Sequence, residues 1–130
     1  MAEDLKRAKE LLEDADFLYG EALGELGRGK LRNAAEKAWG ATLRATNALI
    51  VARTGEEPER VPGTTKKLHE LAGKDKAVDE QVVGRYHTRA DYLHGLCFYC
   101  GLCEPKEDVE RRIREPSALI ADLRKFCNSR

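Results

Sequence analysis

The chain has no long apolar run, no alternating strand pattern and no internal repeat within its 130 residues. A membrane-spanning helix needs about 20 apolar residues, so the sequence predicts a protein without a membrane span. The first residues have neither the basic region nor the apolar run of a secretory signal, which predicts a cytoplasmic location. Strand periodicity is missing, so no β-sheet is expected. A chain of this length is expected to form a single domain over residues 1–130.

The chain also lacks net charge and is poor in amide side chains. Basic and acidic residues number 23 each, so the total charge gives no argument for a nucleic-acid partner. The balance conceals an asymmetry, because residues 1–26 hold eight acids and three bases, whereas residues 27–69 hold nine bases and four acids. Two readings stay open: helix faces that attract each other, or a basic surface for an anionic ligand. Gln81 is the only glutamine, and 35% of the residues are charged, which is typical of a thermophilic protein.

Helical periodicity fills most of the chain and predicts an all-α, up-and-down bundle of four long helices plus a short one. The first four helices are expected over residues 2–26, 30–54, 64–72 and 76–102, of which the third is the short one. Alanine recurs on one stripe of the second helix and permits the close approach of a neighbour, while Trp39 lies off the stripe and is expected to cap the bundle side or meet another subunit. The fifth helix follows Pro105 and is expected to be kinked or split at Pro116.

The fourth helix carries an arginine and a histidine, Arg89 and His94, with four residues between them. Arginine is a permanent cation suited to phosphate, and histidine can move a proton near neutral pH, so the pair suits the binding and cleavage of a phosphodiester. On a regular α-helix the two side chains point ~140° apart. One straight helix does not bring them together, whereas a second copy related by a two-fold axis would. The spacing therefore predicts a homodimer with a shared site.

Further side chains extend this candidate site. Asp91 lies on one strip with His87 and His94 and is expected to orient one of the two histidines. The same three residues suggest two alternatives, a metal site and a solvated polar face. Three cations are expected to bind phosphate: Arg85, Lys30 and Arg32. The alternative for these cations is ion pairing with the acidic first helix. The expected site includes neither a metal nor a cofactor.

Cysteines cluster near the end of the fourth helix. Cys97, Cys100 and Cys103 have the C-x2-C-x2-C spacing of iron–sulfur proteins, and Cys127 is a candidate fourth ligand. Three readings stay open: buried thiols that act as small apolar groups, a disulfide from Cys127 to Cys100 or Cys103, and a metal cluster. The helical context favours the buried thiols.

The spacing from Arg89 to His94 resembles the signature of the HEPN superfamily of small helical domains, in which four to six residues separate an arginine from a histidine. Residues 29–41 are similar to the second helix of that family, where small residues pack tightly and an aromatic residue follows. Together with residues 92–95, they are similar to an archaeal branch known as the PaREP proteins. The likeness covers about residues 3–126.

This resemblance implies a homodimeric, metal-independent ribonuclease in which the two motifs face each other across a dimer cleft. Many such proteins are toxins paired with a small nucleotidyltransferase antitoxin. His94 would then act as general acid or base on the ribose 2′-hydroxyl or the leaving oxygen, and Arg89 would hold the scissile phosphate. Ala90 departs from the active pattern, where this residue is often polar. That departure favours the alternative function, a non-enzymatic nucleotide-binding or protein-interaction homodimer.

Overall fold

A computed structural model describes residues 2–128, which fold into helices joined by short loops without a β-strand among them. The helices are α1 (Ala2–Gly27), α2 (Leu31–Thr54), α3 (Val61–Lys74), α4 (residues 76–99), α5 (Lys106–Arg114) and α6 (Pro116–Asn128). The predicted all-α bundle is confirmed. No helix within the described residues combines the length and the apolar character of a membrane span.

The hairpin of α1 and α2 forms the centre of the bundle. Its turn includes Gly29, whose φ of 76° lies in the left-handed region that glycine tolerates best. The predicted alanine stripe of α2 is fully buried against its neighbours: Ala34, Ala38, Ala41, Ala45 and Ala48. Trp39 is also buried, so it belongs to the core and neither caps the bundle side nor faces another subunit.

The acidic first helix and the basic second helix form ion pairs with each other. Arg44 of α2 lies 2.7 Å from Asp14 of α1, and Lys37 lies 3.2 Å from Glu21. These exposed pairs each contribute less than about 1 kcal/mol. They support the reading in which the basic helix face and the acidic helix face attract each other.

Helix α4 is less regular than predicted. It starts at Lys76–Val78, where the side chain of Asp75 accepts a hydrogen bond of 2.9 Å from the amide of Ala77. The segments Asp79–Val83 and Arg89–Tyr99 are π-helical, with Gly84–Thr88 between them. The prediction of one regular helix to residue 102 is therefore wrong. The wider π turn, closed by i→i+5 hydrogen bonds, often marks a functional part of a helix.

Pro116 splits the last helical region into α5 and α6, as predicted. Glu115 lies at this break, where its amide donates a 3.0 Å hydrogen bond to the carbonyl of Arg111. Beyond the break, α6 packs Leu119 and Leu123 fully into the core. The split therefore places an acidic side chain at the junction of two helices that pack against the rest of the bundle.

The cysteines form one disulfide, between Cys97 and Cys103. The favoured reading of buried free thiols is correct for Cys127 alone, since Cys100 is free but exposed, and the alternative pairings of Cys127 with Cys100 or Cys103 are wrong. The bond uses two thiols of the C-x2-C-x2-C motif, so these residues are not arranged as ligands of a cluster. It joins the end of α4 to the loop that follows.

Burial raises the pKa of the Cys127 thiol to about 11, whereas an unfolded cysteine ionises near ~8.5. The unfolded chain therefore loses this proton first, so the contribution of Cys127 to stability is complete below pH ~8.5 and is lost as the pH rises toward the folded value. We expect iodoacetamide near pH ~9 to modify Cys100 in the native protein and Cys127 only after unfolding. Mass spectrometry of the alkylated chain measures this, and two equally fast modifications in the native state would contradict it.

Candidate functional site

His94 lies on the π-helical part of α4 and contacts α2. Its Nδ1 lies 2.8 Å from Oε1 of Glu36. A carboxylate only accepts hydrogen bonds, so Nδ1 carries the proton and the lone pair of the ring lies on Nε2. A carboxylate in this position fixes the tautomer and orientation of the imidazole. Glu36 of α2 thus holds the His94 imidazole in one orientation.

Aromatic rings surround this imidazole. The ring centroid of Trp39 lies 6.1 Å from that of His94, and Phe98 stacks at 6.3 Å with an interplanar angle of 18°. Tyr99 meets His94 edge-on, also at 6.3 Å. Beneath them, Trp39 packs against Tyr86 at 5.3 Å. These contacts restrict the imidazole on several sides and fix its place between α2 and α4.

His94 opens onto a depression of about 580 Å³ near the C-terminal end of α4. The residues that line it are Asp91, His94, Gly95, Leu96, Tyr99 and Cys100. The side chain of His94 is 42% exposed and Tyr99 is 76% exposed, so both are accessible from solvent. Exposed aromatic surface beside polar groups is suited to a stacked nucleobase or to the surface of another protein chain.

Arg89, in contrast, is buried, with a side chain only 2% exposed. Its Nη2 donates to Oε2 of Glu115, and its Nη1 donates to the carbonyl of Arg85 at 3.3 Å. The remaining donor, Nε, is buried and has no partner among the described residues. Burial lowers the pKa of Arg89 below its usual value, and the hydrogen bond and charge of Glu115 oppose this shift. The guanidinium of Arg89 is therefore buried and ion-paired with Glu115.

Within one chain, the two motif residues meet different neighbours. His94 contacts Glu36 of α2, whereas Arg89 contacts Glu115 at the junction of α5 and α6. The predicted separation of ~140° assumes a regular α-helix, and it does not apply to the π-helical segment. The two residues lie about one wide turn apart along α4, and their side chains diverge to different helices.

The three predicted phosphate-binding cations do not form one anion site. Nη2 of Arg85 lies 2.8 Å from Oδ2 of Asp122, and Nε of Arg32 donates at 3.0 Å to the carbonyl of Phe98. Lys30 is exposed just before α2, and its ammonium has no partner among the described residues. Arg32 therefore caps the end of α4 close to the depression, while Arg85 joins α4 to α6.

The predicted grouping of His87, Asp91 and His94 is not assembled. Nε2 of His87 lies 2.7 Å from Nε2 of His69 on α3, whereas Asp91 lies on the wall of the depression. The carboxylate that contacts His94 is Glu36, and Asp91 contacts neither histidine among the described interactions. Within residues 2–128, no set of three or more histidine, cysteine, aspartate or glutamate side chains is arranged to hold a metal ion.

Sequence reasoning missed Glu36 and Glu115, the two carboxylates that hold the motif residues. Glu36 follows two alanines that are buried on α2, and it lies beside the alanine stripe, not within it. Glu115 directly precedes Pro116, so the predicted helix break already indicated an acidic group at a helix junction. Neither pattern identifies the partner, because both contacts join residues far apart in the chain.

Comparison with known protein families finds a match over most of the chain. The model of the archaeal PaREP1/PaREP8 family matches residues 10–119. This range runs from α1 to the start of α6 and includes Glu36, Arg89, His94 and Glu115. Neither a curated protein nor a solved structure matches the chain.

Proposed function

The chain belongs to the archaeal PaREP1/PaREP8 family, and we propose that it is a HEPN-like homodimer that binds RNA and cleaves it without a metal ion. The observation that carries this proposal is the hydrogen bond between His94 and Glu36 at the edge of an open depression. It supplies an accessible imidazole whose tautomer is fixed, which is what general acid–base catalysis needs.

The proposed dimer forms through the exposed side of α4 near its C-terminal end. Large apolar side chains are exposed there in the single chain: Tyr92, Leu96, Tyr99 and Leu102. Aromatic and aliphatic residues of this kind are typical of the buried centre of protein interfaces. A second copy placed over them would turn each depression into part of one groove with two His94 side chains.

The proposed chemistry needs only these two imidazoles. Nε2 of one His94 removes the proton from a ribose 2′-hydroxyl, and the oxygen attacks the adjacent phosphorus. The bond from phosphorus to the 5′-oxygen breaks, and the protonated imidazole of the other copy gives that oxygen a proton. The products end in a 2′,3′-cyclic phosphate and a 5′-hydroxyl, so atoms and protons balance.

Arg89 can bind a phosphate of the RNA only after it leaves Glu115, because its guanidinium donates to that carboxylate in the single chain. We propose that a bound phosphate replaces Glu115 as the partner of Arg89. Arg111, whose Nε lies 3.3 Å from the other carboxylate oxygen of Glu115, would keep that carboxylate paired. The unpartnered Nε of Arg89 gives the guanidinium a further donor for a phosphate oxygen.

The test is cleavage of a labelled single-stranded RNA by tag-free protein in the presence of EDTA. We expect wild-type protein to cut the RNA and to leave the ends given above. A DNA strand of the same sequence is the matched control, and it should stay intact because it lacks the 2′-hydroxyl nucleophile. Intact RNA after incubation with the wild type would contradict the catalytic part of the proposal.

As the HEPN resemblance implies, we also propose that the protein is the toxin half of a pair whose antitoxin is a nucleotidyltransferase. Expression of the wild-type chain alone should then arrest the growth of a host cell. Expression of His94→Ala at the same level should permit growth, which links any arrest to the imidazole.

A second candidate function is a non-enzymatic homodimer that binds a nucleotide or another protein. The burial of Arg89 favours it, since a guanidinium already engaged by Glu115 is not exposed to a substrate. In that case calorimetry should show binding of an ATP-like nucleotide, and His94→Ala should leave the affinity nearly unchanged. RNA cleavage that depends on His94 separates the two functions.

A further inference from the structure

We propose that His69 and His87 form a binding site for a divalent transition-metal ion of the zinc type, which would tie α3 to α4. The two imidazoles face each other with their Nε2 atoms 2.7 Å apart. The ring centroids lie 5.0 Å apart, so the two Nε2 atoms point directly at each other and share a hydrogen bond, although 18 residues separate them in the sequence. This site lies outside the groove of His94 and does not depend on the proposed RNA function.

The pair must rearrange before it can bind a metal ion. Zinc binds imidazole nitrogen at about 2.0–2.1 Å with tetrahedral angles, so two ligating nitrogens lie ~3.3 Å apart. The two nitrogens must therefore separate by roughly 0.6 Å, and the rings must rotate so that both lone pairs converge on the ion. His69 is exposed and His87 is half-buried, so their side chains can make this adjustment.

One of the two rings is held in place by its neighbours. Tyr86 meets His87 edge-on, with ring centroids 5.2 Å apart and planes at 84°. The hydroxyl of Tyr86 lies 2.8 Å from that of Thr65 on α3, which fixes the two helices relative to each other beside the histidines. Partial preorganisation of this kind lowers the entropy cost of binding an ion.

The surroundings leave room for the other ligands of the ion. A depression of about 310 Å³ lies beside His69 and is lined by His69, Ala72, Gly73, Asp79 and Val83. Water molecules can occupy it, and the carboxylate of Asp79 can accept hydrogen bonds from metal-bound water. Because the described residues supply only two nitrogen ligands here, water must complete the coordination. Imidazole with water as the remaining ligand favours Zn²⁺ and similar borderline ions over Ca²⁺ or Mg²⁺.

The experiment titrates tag-free protein with ZnCl₂ and measures the heat of binding. All samples carry Cys100→Ser, which removes the exposed thiol as a competing ligand. The variants are His69→Asn and His87→Asn, and His94→Asn is the matched control because His94 is the third and last histidine of the chain. Circular dichroism checks the fold of each variant, and His87→Gln replaces His87→Asn should the latter not fold.

We expect one Zn²⁺ per chain in the parent protein and in His94→Asn. The affinity should fall by at least about tenfold in His69→Asn and in His87→Asn, since removal of a ligand costs no less than removal of a second-shell partner. Equal affinity in all the variants would overturn the proposal. So would the absence of any Zn²⁺ binding by the parent protein up to millimolar metal.

Discussion

Replacement of His94 by alanine is expected to lower the rate of RNA cleavage by about 100-fold to 10,000-fold, the range over which a positioned acid or base accelerates a reaction. The imidazole is 42% exposed at the edge of the depression, so it reaches a bound strand without a movement of the backbone. Single-turnover cleavage of a labelled RNA measures the chemical step. The substitution also removes the contact with Glu36, so the folding of the variant is checked by circular dichroism.

Two further variants make this result specific. His87→Ala removes an imidazole from the same helix, but its ring contacts His69 and lies outside the depression, so cleavage should stay within about twofold of the wild type. Glu36→Gln keeps the size of the side chain and loses its charge. We expect a smaller loss of about tenfold, because the carboxylate only orients the base. Equal activity of His94→Ala and the wild type would contradict the role of His94.

Replacement of Glu115 by alanine is expected to lower the free energy of unfolding by about 2 kcal/mol, below the range of ~3–5 kcal/mol for a fully buried ion pair. Arg89 is 2% exposed and would keep only the carbonyl of Arg85 as a described acceptor. Glu115 itself is 44% exposed, which reduces the expected cost. The carboxylate lies between the C-terminal end of α5 and the N-terminal end of α6, so the dipoles of the two helices act on it in opposite directions. Urea denaturation measures the change.

The matched control for Glu115→Ala is Glu107→Ala. Glu107 is an exposed acidic residue in the first turn of α5, and its side chain has no partner among the described interactions. Its replacement should change stability by less than about 0.5 kcal/mol. If Arg89 exchanges Glu115 for phosphate, Glu115→Ala should also bind RNA more tightly despite its lower stability. Equal stability of Glu115→Ala and Glu107→Ala would show that the ion pair does not stabilise the bundle.

Much of the fold follows from local patterns in the sequence. The helices predicted over residues 2–26 and 30–54 correspond closely to Ala2–Gly27 and Leu31–Thr54. Apolar residues that recur with a period of 3.6 are typical of an amphipathic helix. The break at Pro116 was predictable since proline lacks the amide donor that a continuous helix needs. These features depend on residues that are close in the sequence.

The site was less predictable, because its geometry depends on contacts between distant residues. The ion pair of Arg89 with Glu115 and the hydrogen bond of His94 with Glu36 span 26 and 58 residues. The π-helical turns of α4 also change the direction of every side chain beyond them, and the helical periodicity of the sequence gives no sign of them. The disulfide of Cys97 with Cys103 was missed because regular helical spacing separates the two thiols, whereas the chain leaves the helix after Tyr99.

We propose that two copies of the chain meet at the depression on α4, and cross-linking through Cys100 tests this dimer. Cys100 lines that depression and is exposed, while Cys127 is buried. A short bifunctional maleimide at micromolar protein concentration should yield a covalent dimer of the wild type and none of Cys100→Ser. Ser117→Cys in the Cys100→Ser background, with its thiol exposed on α6, is the control and should stay monomeric. Wild-type protein that remains uncross-linked and sediments as a monomer at the same concentration would contradict the proposed dimer.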